Sequence, residues 1–227
     1  MKAPRMKRRE FIVLPAQSLG GVLLYTLAGE VTRLPAQTST GDIKVPLRFF
    51  TAVEARVVQA AAERIFPSDA NGPGATEAGV VIYIDRQLAG PYGRDKYRYA
   101  KPPFVESGPE HGYQGKETPR EVYRAGIAGL GNFAELKPAE QDQKLRSIQT
   151  TNFFRLLRQH TIEGMFSDPM HGGNANMIGW QLIGYPGPVM SYREEIDKSF
   201  GEAFVRKPVN LAQVTGRTVT GWEDEKD

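Results

Sequence analysis

The apolar residues from about position 50 onwards recur mainly at helical spacing. Val57, Ala61 and Ile65 lie on one face of a helix that this pattern places at about residues 52–66. Thr51, followed three residues later by a glutamate, forms the capping-box signature of a helix start. A proline follows the segment, and the helix ends there because the residue before a proline avoids helical backbone angles.

The same pattern predicts further helices along the chain. Val80, Ile84 and Leu88 form a stripe that favours a helix, although the β-branched run at its start would also suit a strand. Thr118 and Pro119 supply an N-cap and a proline at the first helical position. We therefore predict these helices at about 76–89, 118–134, 138–148 and 151–165.

These elements predict a mainly α fold, a compact helical domain of five or six helices with long ordered loops. One long loop covers residues 90–117 and another covers residues 167–188, and both are rich in glycine and proline. The residues that we expect in the core between the helices are Val57, Ile65, Ile84, Leu130, Phe154 and Leu157.

The first long loop carries five aromatic side chains, which makes it a candidate interface. A loop of this length in a compact domain is usually functional or covered by a partner, and tyrosine is enriched at protein interfaces. The alternative is a loop that packs on its own domain. Together with residues around the second loop, the candidate partner contacts are Tyr92, Tyr97, Tyr99, Phe104, Tyr113, Met165, Phe166, Asp168, Trp180 and Tyr185.

The first 36 residues have the features of a bacterial export signal. Arg8 and Arg9 form a twin-arginine pair, Phe11 follows, and residues 11–28 carry no charge. The alternatives are an uncleaved membrane anchor and a basic arm followed by a buried helix. The predicted division is an export signal at 1–36, a helical domain at 37–206 and an irregular, acidic-ended tail at 207–227.

Charge and cysteine content exclude several classes of function. The leader holds six of the 29 Lys and Arg residues but only two of the 26 Asp and Glu residues, so the remainder has 23 basic and 24 acidic residues. Without a basic excess, the body of the chain lacks the electrostatic driving force for nucleic-acid binding. The absence of cysteine excludes disulfides, Cys-ligated zinc, Fe–S clusters and a covalently attached c-type haem.

Catalytic motifs are scarce in the body of the chain. It has no nucleophile elbow, no dinucleotide-binding fingerprint and no carboxylate pair suited to general acid and base roles. Glu163, Asp168 and His171 could converge at a helix end, which leaves a metal-dependent enzyme or binding protein as an alternative hypothesis. The twin-arginine route carries folded proteins, often with a partner attached, so the signal points to a cargo other than this chain.

A long string of residues resembles one protein family. It runs from Thr161 to Pro169 (T-I-E-G-M-F-S-D-P) and is followed by Gly-Gly-Asn at 172–174 and by Ile-Gly-Tyr-Pro-Gly at 183–187. With the earlier segments around residues 49–67 and 78–90, this pattern resembles the small subunit of gluconate 2-dehydrogenases, known as subunit 3.

The resemblance implies an accessory role. Such subunits accompany a large FAD-dependent dehydrogenase of the glucose–methanol–choline (GMC) type, often with a multihaem cytochrome c subunit, at the bacterial cytoplasmic membrane. The small subunit carries no flavin and no haem, and it supports the folding and twin-arginine export of the catalytic subunit. The resemblance therefore implies a non-catalytic periplasmic subunit of a complex that oxidises a sugar, sugar acid or polyol.

Overall fold

The structure is a computed structural model that separates the chain into two units, Met1–Lys44 and Val45–Asp227. The described residues are 22–27, 30–35, 43, 45–98, 102–104, 108–111, 113, 115–189, 191–193, 196, 201 and 206–216.

The first unit contains a β-hairpin. Strand β1 (Val22–Leu27) pairs antiparallel with strand β2 (Glu30–Pro35), and Leu27 lies opposite Glu30 at the turn. The strand β1 occupies the last part of the uncharged run that the sequence assigns to the leader. The twin-arginine residues Arg8 and Arg9, and Phe11, lie outside the described residues, so the export signal stays a prediction.

The second unit is helical, which confirms the predicted fold class. All five predicted helices are present, and a short sixth and seventh helix lie in segments predicted to be loop and tail. No helix in the described ranges is long and apolar enough to cross a membrane. The helices are α1 (Ala52–Ile65), α2 (Val80–Ala89), α3 (Pro119–Leu130), α4 (Pro138–Ser147), α5 (Asn152–Phe166), α6 (Ile178–Ile183) and α7 (Leu211–Thr215).

Capping residues and glycines next to the helices determine where most of the helices begin. Thr51 and Thr118 each accept a hydrogen bond from the backbone N–H three residues on, and the glutamate at that position bonds back. The helix α2 starts four residues later than predicted because Gly79, at φ 67°, takes a left-handed conformation before it. The helix α3 ends at Leu130, earlier than predicted, because Gly131 has a φ of 62°.

The core forms where α2 and α5 pack together. The first five residues of α2 are all buried, and Gly164 of α5 brings the two helices close. A methyl group at Gly164 would lie 3.1 Å from Val80 Cγ1 and 3.3 Å from Tyr83 Cβ, so a larger residue there would push α2 away by a few tenths of an ångström. In the domain as a whole, the largest fully buried side chains are Tyr123, Phe133, Ile84, Leu88, Leu130, Leu157, Met165 and His160.

The predicted core residues are correct at four of six positions. Val57, Ile84, Leu130 and Leu157 are buried, whereas Ile65 and Phe154 are only half-buried. Phe153 takes the core position on α5 instead of Phe154 and packs edge-on against Tyr123, with ring centroids 5.4 Å apart. Gly126 on α3 makes room for this ring, because a methyl group there would lie 2.1 Å from Phe153 Cγ.

Candidate functional site

A buried histidine joins the first long loop to the helical core. His160 on α5 is 1% exposed, and its Nε2 and Nδ1 atoms each lie 2.8 Å from a tyrosine hydroxyl, those of Tyr92 and Tyr123. A neutral imidazole has one N–H donor and one acceptor nitrogen. One tyrosine therefore donates to the ring while the other accepts, and both ring nitrogens are satisfied.

The environment of this cluster keeps its members neutral at pH 7. Burial, reinforced by the charge of Arg155, lowers the pKa of His160 to about 4. Burial raises the pKa of Tyr92 to about 12 and raises that of Tyr123 well above its ordinary value. A general base or acid works best with a pKa near the ambient pH. The cluster therefore has the properties of a structural support for the loop.

A small cleft of about 200 Å³ lies beside Tyr92, between the loop, α3 and α5. Arg98 closes its loop side through an ion pair with Asp95 and a hydrogen bond of 2.8 Å to the Gly115 carbonyl. The guanidinium also stacks over the Tyr113 ring at 5.1 Å. The described ends of the loop are thus tied to each other, and the Tyr92–His160 hydrogen bond ties the loop to the domain.

Asp85 fixes the segment by which the chain enters the helical domain. Its carboxylate is 1% exposed and accepts the backbone N–H groups of Arg48, Phe49 and Phe50 at 2.7, 3.0 and 2.8 Å. A carboxylate that accepts several N–H groups satisfies its charge without a cation. Phe50 enters the core as a result, and its ring lies 6.1 Å from that of Tyr123.

The glycine-rich segment after α5 is built around two polar side chains. Asp168 accepts the backbone N–H of Met170 at 3.0 Å and that of Leu211 at 2.8 Å, so it joins the segment to the start of α7. Asn174 is fully buried, at φ 47°, and bonds the Gly179 N–H and the Ser167 carbonyl. These contacts give the loop a defined shape.

A comparison with known protein families identifies the helical domain. The family model described as gluconate 2-dehydrogenase subunit 3 matches residues 52–187, which is more than half of the chain. The chain belongs to the gluconate 2-dehydrogenase subunit 3 family. No curated protein and no solved structure matches the chain significantly.

The subunit 3 match covers the structural features described above. It begins at the first residue of α1 and includes the His160 cluster, the Asp85 carboxylate and the Asn174 turn. Within the string that carries the resemblance, Thr161 bonds the Leu157 carbonyl at 2.7 Å and Gly164 permits the contact with α2. Much of this string therefore has a structural role, in the last part of α5 and in the turn that follows it.

The predicted partner contacts differ in accessibility. Met165 is fully buried and Trp180 is 4% exposed, with its Nε1 donating to the Phe166 carbonyl at 2.7 Å. These two residues belong to the core of the domain, and their role at an interface stays a prediction. Tyr92, Tyr97, Phe104 and Tyr185 are exposed, Tyr113, Phe166 and Asp168 are half-buried, and Tyr99 lies outside the described residues.

The structure does not assemble the metal site of the alternative hypothesis. Within the described ranges, no group of three or more His, Asp or Glu residues could hold a metal ion. Glu163 instead accepts hydrogen bonds from the Tyr83 hydroxyl at 3.0 Å and the Gln159 amide at 2.8 Å. Asp168 accepts two backbone N–H groups, as described above, so both carboxylates have structural partners.

Sequence reasoning missed the roles of Asp85 and His160. Asp85 lies inside the apolar run of α2, and a charged residue within a fully buried helix is a signal that it has a specific internal partner. His160 lies in the most apolar predicted helix, where a buried, hydrogen-bonded histidine is the usual finding. Its partners could not be deduced, because Tyr92 and Tyr123 are 68 and 37 residues away in sequence.

Proposed function

We propose that this chain is the non-catalytic small subunit of a bacterial dehydrogenase complex whose catalytic subunit is a large, FAD-dependent enzyme of the GMC type. In this role it supports the folding of the catalytic subunit and carries it through the twin-arginine pathway. A multihaem cytochrome c subunit completes the complex on the periplasmic side of the cytoplasmic membrane. The flavin and the haem belong to those partners.

The observation that carries the proposal is the combination of a subunit 3 domain with a twin-arginine pair on the same chain. The family match covers residues 52–187, and the pair lies at Arg8 and Arg9. A signal for folded cargo on a subunit of a dehydrogenase complex suits the transport of a catalytic subunit that is already folded and bound.

The exposed aromatic residues are candidate contacts for the interface with the catalytic subunit. Tyr97 is 73% exposed, and Phe104 and Tyr185 are each more than 40% exposed. Large aromatic side chains dominate the energetics of many protein interfaces. A complex that survives transport needs an obligate interface, which typically buries more than about 2,000 Å² in total.

Replacement of both Arg8 and Arg9 by lysine tests the export role. We expect this double variant to retain the chain and the flavoprotein together in the cytoplasm, with loss of periplasmic dehydrogenase activity. The measurement is dehydrogenase activity and immunoblotting of both proteins in periplasmic and cytoplasmic fractions. Arg5→Lys, outside the twin-arginine pair, is the matched control and should export normally.

Two other outcomes of this experiment would contradict different parts of the proposal. If the double variant traps this chain while the flavoprotein still reaches the periplasm in active form, the escort role is wrong. If both proteins are exported normally, the leader is not a twin-arginine signal.

A further inference from the structure

Basic and aromatic residues are concentrated in the first part of the loop that follows α2. Residues 90–104 contain four basic residues, one acidic residue and four aromatic residues, so this segment has a net charge of +3. The body of the chain has 23 basic and 24 acidic residues, and without this segment it has 19 and 23, a net charge of −4. The positive charge of the body is therefore concentrated in this one segment.

The backbone at the start of this segment forms consecutive turns with exposed side chains. The N–H groups of Arg94 and Lys96 both bond the Pro91 carbonyl, at 3.2 and 3.1 Å. Arg94, Lys96 and Tyr97 are exposed, and the Lys96 ammonium lies 6.0 Å from the centre of the Tyr97 ring. Two cations and a large ring thus share residues 94–97, which we call the basic turn.

Contacts with the domain hold the basic turn in place. Asp95, the acidic residue of the segment, forms an ion pair with Arg98, whose guanidinium also donates to the Gly115 carbonyl at 2.8 Å. Just before the turn, the Gly93 carbonyl accepts the Arg120 N–H at 3.2 Å. A surface that is already ordered loses little conformational entropy when it binds a partner.

The segment ends in an exposed apolar stretch. Pro102, Pro103 and Phe104 are all exposed, and the Phe104 ring is 43% exposed. Aromatic rings beside lysine and arginine are typical of surfaces that lie at the boundary between lipid headgroups and acyl chains. The centres of protein interfaces, in contrast, are depleted in lysine, and this segment contains Lys96 and Lys101.

We propose that the basic turn and Phe104 contact the anionic surface of a lipid membrane. Arg94 and Lys96 are attracted to the headgroup phosphates, while the rings of Tyr97 and Phe104 enter the interfacial region. This contact does not depend on the proposed function. It gives these two rings a lipid partner in place of the catalytic subunit, and it leaves Tyr185 and the rest of the surface available to that subunit.

A tryptophan reporter tests the contact in the full-length chain. We expect the emission of Tyr97→Trp to shift to shorter wavelength with vesicles of phosphatidylcholine and phosphatidylglycerol, but not with phosphatidylcholine alone. The wild-type emission, from Trp180 and Trp222, is subtracted. Gln143→Trp, at an exposed position of the polar helix α4, is the control and should not shift. Because the signal comes from residue 97, binding of the leader to vesicles does not produce it.

Removal of charge tests the electrostatic attraction. Arg94→Gln combined with Lys96→Gln should weaken the vesicle affinity of the Tyr97→Trp reporter by about tenfold or more, and added salt should weaken it in the same direction. Arg56→Gln combined with Arg146→Gln removes two exposed cations from α1 and α4 and should leave the affinity unchanged. Both double variants should melt as the wild type does, because the replaced side chains are exposed.

Three results would overturn the membrane contact. The first is an unchanged Tyr97→Trp emission in the presence of anionic vesicles. The second is an equal loss of affinity in the two double variants, because any exposed cation would then serve as well as the basic turn. The third is normal vesicle binding by the Arg94 and Lys96 double variant together with reduced capture of flavoprotein, which would assign the turn to a protein interface.

Discussion

At the scale of single residues, the domain depends on buried polar groups that have complete sets of partners. Asp85 satisfies three backbone N–H groups, and His160 bonds two tyrosine hydroxyls. A buried polar group with no partner costs more free energy than a hydrogen bond gains. These two residues therefore restrict the conformations of the segments that they hold, which are the domain entry and the start of the aromatic loop.

His160 predicts how stability depends on pH. Its pKa is about 4 in the folded chain and about 6.5 when unfolded, so between these values only the unfolded state binds the proton. The free energy of unfolding should therefore be highest above pH 6.5 and fall as the pH decreases towards 4, by about 3 kcal/mol from this residue. Urea unfolding of the full-length chain at pH 7, 6 and 5 measures this slope.

Two variants isolate the contribution of His160. His160→Gln keeps a donor and an acceptor for the tyrosines but has no titratable group, so it should lose most of the slope between pH 6.5 and 5. His111→Gln, at an exposed histidine, should keep the slope of the wild type. Identical pH profiles for His160→Gln and the wild type would contradict the assignment.

At the scale of elements, individual glycines allow neighbouring helices to pack closely and so determine their arrangement. Gly164 permits the approach of α5 to α2, and Gly126 on α3 accepts the Phe153 ring of α5. The latter contact decides which of two adjacent phenylalanines is in the core, because helical periodicity alone places both close to the apolar face.

The two adjacent phenylalanines form a matched pair for testing the packing. Phe153→Ala should destabilise the chain by about 3–5 kcal/mol, because it leaves a cavity between α5 and α3. Phe154→Ala removes a half-buried ring and should cost less, about 2 kcal/mol or below. Chemical denaturation at neutral pH compares them, and an equal or larger loss for Phe154→Ala would contradict the arrangement.

The helices could be predicted from the sequence better than the tertiary contacts between them. The capping signatures at Thr51 and Thr118 and the apolar stripe of α2 are local, so helix type and most helix starts were predictable. The short helices α6 and α7 were missed because six and five residues are too few to show a helical period. The burial of Met165 and Trp180 depends on how the turn after α5 folds back, and residue type alone could not separate them from interface residues.

At the scale of the whole molecule, a subunit 3 domain and a basic leader belong to one chain. The domain has a nearly balanced charge and exposed aromatic side chains on its first long loop. These surface features suit contact with another protein. His160 and the two tyrosines that it bonds have pKa values far from 7, which suits a supporting role rather than proton transfer.

The proposed function requires this chain to form a stable complex with a large flavoprotein. The most direct measurement is affinity capture of the full-length chain from its native host, followed by a visible absorption spectrum and protein quantification of the eluate. We expect a large subunit in stoichiometric amount, with the absorption bands of a bound flavin. A colourless eluate that contains this chain alone would contradict it.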